Sequence, residues 1–275
     1  MDFAGPDPGW LLLAGHLAYH EQSRLRKYLL YLLVRYVELP FLKSGYKATR
    51  GEWRFIAEKP LLRLLAKTFI LHPIGARIDT GHPMLTDDVI NLIDSQETDI
   101  AVGPCRCRMA HGQCNHRLET DIVIRTGTGA FTKAFPKDYR RITKEEAKDL
   151  VRICADEGMW HMVFVHCHTA QGVNEYAVCN CCQDGCVPFL LNKEFGQDGF
   201  PLLRGEYVAQ TNPSACKGCG KCLDICPWDA RTLVDGVIAV DTDLCFGCGL
   251  CARVCENEGV SMIKQRPQPA LRTYQ

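Results

Sequence analysis

The feature that most constrains this chain is a cysteine pattern that occurs twice, 29 residues apart. Cys216-Lys-Gly-Cys219-Gly-Lys-Cys222-Leu-Asp-Ile-Cys226 aligns with Cys245-Phe-Gly-Cys248-Gly-Leu-Cys251-Ala-Arg-Val-Cys255, and Gly218 and Gly220 recur as Gly247 and Gly249. The chain has 17 cysteines in all, an odd number and far above ordinary usage. No short apolar signal segment with a basic start and a small-residue cleavage site opens it, so a secreted disulfide framework is not expected. The reading is a protein of a reducing compartment whose thiols bind metal. It is expected to be cytoplasmic, or peripheral to the membrane on the cytoplasmic side. The uncharged stretch ending at His20 and the apolar run 28–34 are both too short for the roughly 20 residues of a membrane span.

Each copy of the repeat is C-x2-C-x2-C-x3-C, the spacing that ligates cubane clusters in bacterial ferredoxins. Three thiolates on one tight loop cap three irons, and the glycines let the backbone wrap close to the sulfides. The fourth cysteine is expected to open a helix on the far side and reach the other cluster. Between the copies, 232–240 reads as two short β runs around Asp235-Gly236, a hairpin signal. Over about residues 208–265 the sequence resembles the two-cluster ferredoxin domain. That resemblance implies two [4Fe-4S] clusters with crossed ligands. Cys216, Cys219, Cys222 and Cys255 would hold one, and Cys245, Cys248, Cys251 and Cys226 the other. Pro227 follows Cys226 as the pattern asks, whereas Glu256 stands after Cys255 where proline is common. A zinc site needs only four thiolates, not two complete sets in duplicated order.

A second cysteine group lies upstream. After the strand-like Ile100-Ala-Val102 comes Gly103-Pro104-Cys105-Arg-Cys107, then Cys114-Asn-His116. Ile122-Val-Ile124 and 162–165 read as strands, and Thr143-Lys-Glu-Glu146 as a capping box opening a helix. Cys154 falls on that helix's apolar face and is read as packing. The group closes with Cys179-Asn-Cys181-Cys182-Gln-Asp-Gly-Cys186. The pattern resembles the cysteine-rich region of anaerobic ferredoxin-like iron–sulfur proteins that end in a two-cluster domain, over roughly 80–265. Asp121 stands where that family usually has a cysteine, and Gln183-Asp184-Gly185 thins its cysteine-dense exit. One further metal centre is expected, a third [4Fe-4S] cluster or a zinc ion, drawn from Cys105, Cys107, Cys114, Cys181, Cys182 and Cys186. Cys179 and Cys167 are secondary candidates. His161, His166 and His168 read as ordinary hydrogen-bonding histidines, and Trp228 as a shield beside Cys226.

Charge divides the chain further. Residues 1–77 hold 12 basic and 6 acidic side chains, net +6; 78–215 hold 13 and 19, net −6; 216–275 hold 7 of each. Overall, 32 basic side chains balance 32 acidic ones, which removes the basic face a nucleic-acid binder needs. The N-terminal part contains two apolar-basic helical stretches, 24–39 and 60–71. They read either as a hairpin buried on the acidic middle region or as a docking element for a membrane surface or membrane-bound redox complex.

The expected architecture is α+β: a basic helical segment (1–77), a cysteine-rich α/β middle domain (78–210), a dicluster ferredoxin-like domain (211–265) and a tail (266–275). The expected function is single-electron relay to a redox protein partner or within an oxidoreductase complex, as a carrier or electron-transfer subunit. Two other classes are an enzyme with a substrate or flavin site in the middle domain, and a zinc-stabilised interaction module there. No radical-SAM triad, Walker loop, H-E-x-x-H or G-x-S-x-G occurs, and Gly127-Thr-Gly129 lacks the third glycine of a dinucleotide fingerprint.

Overall fold

The computed structural model describes residues 31–77, 81–168 and 174–267. Residues 24–30 of the first expected helical stretch therefore lie outside the described residues. A helical run continues from 31 through a π turn (Val34–Glu38) into α1 (Leu39–Thr49). Two short helices follow, α2 (Phe55–Glu58) and α3 (Pro60–Ala66), and a second π turn (Lys67–Leu71) leads into α4 (His72–Arg77). No helix among the described residues is long and apolar enough to cross a membrane.

The middle region is one six-stranded sheet with two helix-covered faces. Its strands are β1 (His82–Met84), β2 (Ile100–Pro104), β3 (Glu119–Ile124), β4 (Arg140–Ile142), β5 (Trp160–His168) and β6 (Asn174–Cys181), in the order β1-β5-β6-β3-β2-β4. Successive side chains of a strand face opposite ways, and both faces here are apolar. Ile100, Val102, Ile122, Ile124, Val163 and Val178 form one face. It is covered by Val89 and Ile93 of α5 (Thr86–Asp94) and by Ala147 and Val151 of α8 (Lys144–Asp156). Ala101, Val123 and Ala177 form the other, under Phe131 of α7 (Thr126–Ala134), Tyr139 and Val34. The capping box of α8 is formed on both sides: the Thr143 hydroxyl accepts from the Glu146 amide, and the Thr143 amide donates to the Glu146 carboxylate. Among the described residues every strand pairing is antiparallel, so the expected α/β middle domain is instead α+β. The reason is connectivity. Strands close in sequence, such as β5 and β6, can pair only antiparallel, whereas parallel neighbours need long crossovers.

The C-terminal region consists of two small antiparallel ribbons. β7 (Tyr207–Thr211) pairs with β10 (Val260–Lys264), and β8 (Arg231–Val234) with β9 (Val237–Val240). The hairpin turn has Asp235 at φ 49° and Gly236 at φ 80°, the paired positive values that a two-residue turn between twisted strands requires. Because β7 pairs with β10, the boundary expected at 210/211 falls inside a strand of this region. The 29-residue repeat persists in three dimensions. Asn212 and Asp241 each accept a bond from the amide of the first cysteine, Cys216 and Cys245. Asp229 and Glu258 both lie at positive φ. The short helices α10 (Lys221–Asp224) and α11 (Leu250–Arg253) precede Cys226 and Cys255. The fourth cysteine therefore follows a helix and does not open one. The helical turn is used up within the ligand loop, because it carries the third cysteine.

These regions share one core. Trp228 stacks on Phe246 at 4.3 Å, meets Phe189 edge-on at 5.4 Å, and lies 5.3 Å from Trp160 of β5. Phe189 belongs to α9 (Val187–Phe195), which also receives α1: an added Cβ at Gly45 would come within 2.7 Å of the Val187 side chain. Leu42, Ala57 and Leu71 join the same core. Arg63 and Lys67 form ion pairs with Glu194 and Asp198 of the acidic middle region. On the outer side, Leu61, Leu64, Phe69 and Ile70 remain exposed.

Candidate metal centres

In the C-terminal region the two ligand loops interleave. Cys226, from the first copy, lines one cavity together with Cys245, Cys248 and Cys251 of the second. Trp228 also lines that cavity, and its buried indole N–H has no acceptor among the described residues. Cluster sulfurs accept such bonds, so the cradle suits the cofactor that its thiols imply. Close wrapping depends on glycine at Gly247, whose φ is 80° and where a Cβ would stand 2.2 Å from the Tyr207 carbonyl oxygen. The amides of Ala230 and Gly259 donate to the sulfurs of Cys226 and Cys255, at 3.4 and 3.2 Å. Burial pushes the Cys226 thiol up and the Cys251 thiol to about 11, the latter opposed by Arg231. Two backbone amides, of Ile238 and Gly218, pull Cys216 down. Cys219 is exposed and Cys222 buried. Glu256, in the position where proline is common, pairs with Lys221 at 2.5 Å.

Arg231 was not singled out by sequence. It is buried, with Nη2 3.2 Å from the Cys251 sulfur and Nη1 3.6 Å from the Cys222 sulfur. One guanidinium thus touches a thiol from each copy. Burial disfavours its charge, and the neighbouring thiolates of Cys251 and Cys222 more than restore it.

The six cysteines expected to form one middle site do not converge on a single point. They form two adjacent groups. Cys105 caps the N-terminal end of α6 (Arg106–His111), which carries Cys107. Cys181 ends β6, and Cys186 caps α9. Thiol contacts run Cys105–Cys107–Cys186–Cys181; Cys181 and Cys186 are buried, Cys105 and Cys107 half-buried. The Cys107 contact and burial raise the Cys105 thiol well above its ordinary value. The bond from Cys186 pulls Cys181 down, but burial together with the neighbouring charges of Cys179, Cys105 and Cys107 brings it to about 12. Buried thiols of this kind need a cation to become thiolates, and metal binding supplies one with release of protons. Cys114 and Cys182 stand apart, 3.6 Å from each other, beside His116 and Asp184.

Arg108 lies between the groups. It is buried and donates to the Thr120 hydroxyl (2.6 Å) and the Asn180 carbonyl (2.7 Å), and its charge acts on Cys105, Cys181 and Cys182. Asp121 faces Cys179 across β3 and β6 and accepts from its thiol at 3.5 Å. Tyr139 donates to the same carboxyl group and Arg106 pairs with it, so the side chain is held in place. Cys154 is fully buried against Met159 and Cys182. His161 bonds Asn180 (2.6 Å) and Thr86 (3.2 Å). The side chains of Cys167, His166 and His168 lie outside the described residues.

Sequence reasoning missed His116 as a ligand candidate, and Arg108 and Arg231 as charges beside the thiols. The pairs Cys114-x-His116 and Cys182-x-Asp184 were the available signal for the first.

The duplicated loops, the shared cavity and the buried guanidinium define an iron–sulfur region of ferredoxin type. Residues 208–256 match the family model of the 4Fe-4S dicluster domain, so this part of the chain is a ferredoxin-like iron–sulfur domain. No curated protein matches the sequence.

Proposed function

We propose that the chain relays single electrons through two [4Fe-4S] clusters and a third metal centre in the middle region, delivering them to a redox protein partner. The carrying observation is the cavity lined by Cys226 together with Cys245, Cys248 and Cys251, a crossed ligand set. By the repeat, Cys216, Cys219, Cys222 and Cys255 hold the second cluster. Bound [4Fe-4S] clusters supply reversible one-electron chemistry with little rearrangement, because several irons share the charge. The chain's own contributions are distinct. Trp228 and Phe246 keep water from one side of the cavity, amides of Ala230 and Gly259 donate to ligand sulfurs, and Arg231 offsets negative charge on both sets.

The third centre is assigned to Cys105, Cys107, Cys181 and Cys186, with Arg108 as the buried counter-charge. A short protein path connects it to the ferredoxin domain. Cys181 sits opposite Trp160 across the β5–β6 pair, and Trp160 lies 5.3 Å from Trp228, which is two residues beyond Cys226. In parallel, the Gln183 side-chain amide donates to the Ile225 carbonyl at 3.0 Å. An electron-transfer role is favoured over a substrate or flavin site because these thiols are joined to the ferredoxin-like domain by the short path through Trp160 and Trp228.

Iron and acid-labile sulfide quantitation on anaerobically purified protein, with EPR of the reduced state, tests this. About twelve irons are expected, at four per cluster. Cys226→Ala is expected to damage the cluster held mainly by the second loop, although Cys226 lies in the first. Damage confined to the first-loop cluster would overturn the crossed assignment, and about eight irons in the parent would remove the third cluster.

A further inference from the structure

We infer that Cys114, His116, Cys182 and Asp184 form a mononuclear site for a tetrahedral divalent metal ion of the zinc class, separate from the four-thiol group beside it. The inference rests on the proposed assignment only in leaving Cys105, Cys107, Cys181 and Cys186 as a complete set of four.

The geometry carries it. One ligand atom from each of the four residues lies within 4.8 Å of every other. The Cys114 sulfur is 3.6 Å from the Cys182 sulfur, 3.4 Å from His116 Nδ1 and 3.6 Å from Asp184 Oδ2. His116 Nδ1 is 3.4 Å from Asp184 Oδ1. A zinc ion has bonds of about 2.3 Å to sulfur and about 2.0–2.2 Å to nitrogen or oxygen. At tetrahedral angles those lengths put neighbouring sulfurs about 3.8 Å apart, sulfur and nitrogen or oxygen about 3.6 Å, and nitrogen and oxygen about 3.4 Å. The four edges given match these lengths, through one or the other oxygen of Asp184, and the remaining pairs lie within 4.8 Å. Thiolate, imidazole and carboxylate together are a donor set for zinc, whereas an iron–sulfur cubane is ordinarily held by four thiolates.

The local structure is built for this approach. Cys114 and His116 lie in the loop after α6, and Cys182 and Asp184 in the turn between β6 and α9. Gly185 lets the two loops close: a Cβ there would sit 3.0 Å from the Cys114 Cβ and 3.1–3.2 Å from the Cys114 and Cys182 sulfurs. His111 bridges the same loops through the Gly185 carbonyl at 3.0 Å. The buried Cys154–Met159–Cys182 packing walls the inner side, while the Asp184 side chain is 52% exposed, so the ion enters from solvent on the Asp184 side. Bound there, it staples the loop that follows Cys105 and Cys107 to the turn that separates Cys181 from Cys186.

The test is metal analysis and zinc K-edge X-ray absorption on the full-length protein, purified without oxygen and dialysed against micromolar zinc. One zinc per chain is expected, with two sulfur and two nitrogen or oxygen neighbours. His116→Ala and the exposed Asp184→Asn should each lower zinc retention at least tenfold while iron and sulfide stay at parent levels. The inference is overturned by a protein that retains no zinc, by a four-sulfur shell, by a Cys114–Cys182 disulfide in the anaerobic protein, or by variants that lose iron in place of zinc. Folding of Asp184→Asn is checked by its unchanged iron content. Eight irons with one zinc would sink the third cluster and leave this site standing; twelve irons with no zinc would do the reverse.

Discussion

Removing the Arg231 charge should lower the potential of both clusters proposed for the ferredoxin-like domain. The guanidinium is buried and contacts Cys251 at 3.2 Å and Cys222 at 3.6 Å, one sulfur from each proposed ligand set. Reduction adds one negative charge, spread over a cube, so its mean distance from the guanidinium is about twice the nitrogen–sulfur contact. At about 6 Å and an effective dielectric constant of about 20, that attraction amounts to about 3 kcal/mol. For a one-electron couple, 59 mV corresponds to a tenfold change, or 1.4 kcal/mol, so the same energy is about 120 mV. Arg231→Leu is expected to lower the midpoint potentials by about 60–120 mV once partial screening is allowed for, with the larger shift on the Cys251 cluster. Arg231→Lys should keep most of the parent value. The assay is an anaerobic redox titration followed by EPR, on variants whose iron content equals the parent's. Fully loaded Arg231→Leu with potentials unchanged or raised would refute the reasoning.

Two further expectations concern stability. Thr143→Ala removes the α8 cap, and unfolding in urea should show a loss of about 1 kcal/mol, with iron content unaffected. Burial holds His161 neutral and pulls its pKa down to about 4, against the Asn180 bond that favours the proton. The unfolded chain takes up that proton from about pH 6.5 downward, so the contribution is complete above 6.5 and lost as pH falls to about 4, by about 3 kcal/mol in all. Denaturation of parent and His161→Gln across this window checks it, since acid lability of the clusters is common to both; equal slopes would discount the histidine.

What was legible in the sequence was local. The ligand spacing within each loop, the Asp235-Gly236 hairpin and the Thr143–Glu146 box each depend on neighbours a few residues apart, and all recur in the structure. The match of 208–256 to a dicluster domain rests on the same short-range pattern. Local reading failed where one residue has two local solutions. A fourth cysteine can open a helix or end one, and here α10 and α11 lie before Cys226 and Cys255.

Tertiary structure decided the rest, because it concerns side chains brought together from distant segments. Six upstream cysteines looked like one site in sequence. Folding of the β6–α9 turn against the α6 loop sorts them into a four-thiol group and a Cys114–Cys182 pair joined by His116 and Asp184. Arg231 belongs to a strand of its own, and only the packing of both ligand loops places it between Cys222 and Cys251. The basic N-terminal helices could have stood apart from the core. Their partition depends on which residues find a complementary surface: Leu42 and Leu71 do, and Leu61, Leu64 and Phe69 do not. Composition and period set how apolar a segment is, but the shape and charge of the surface opposite determine whether it is buried.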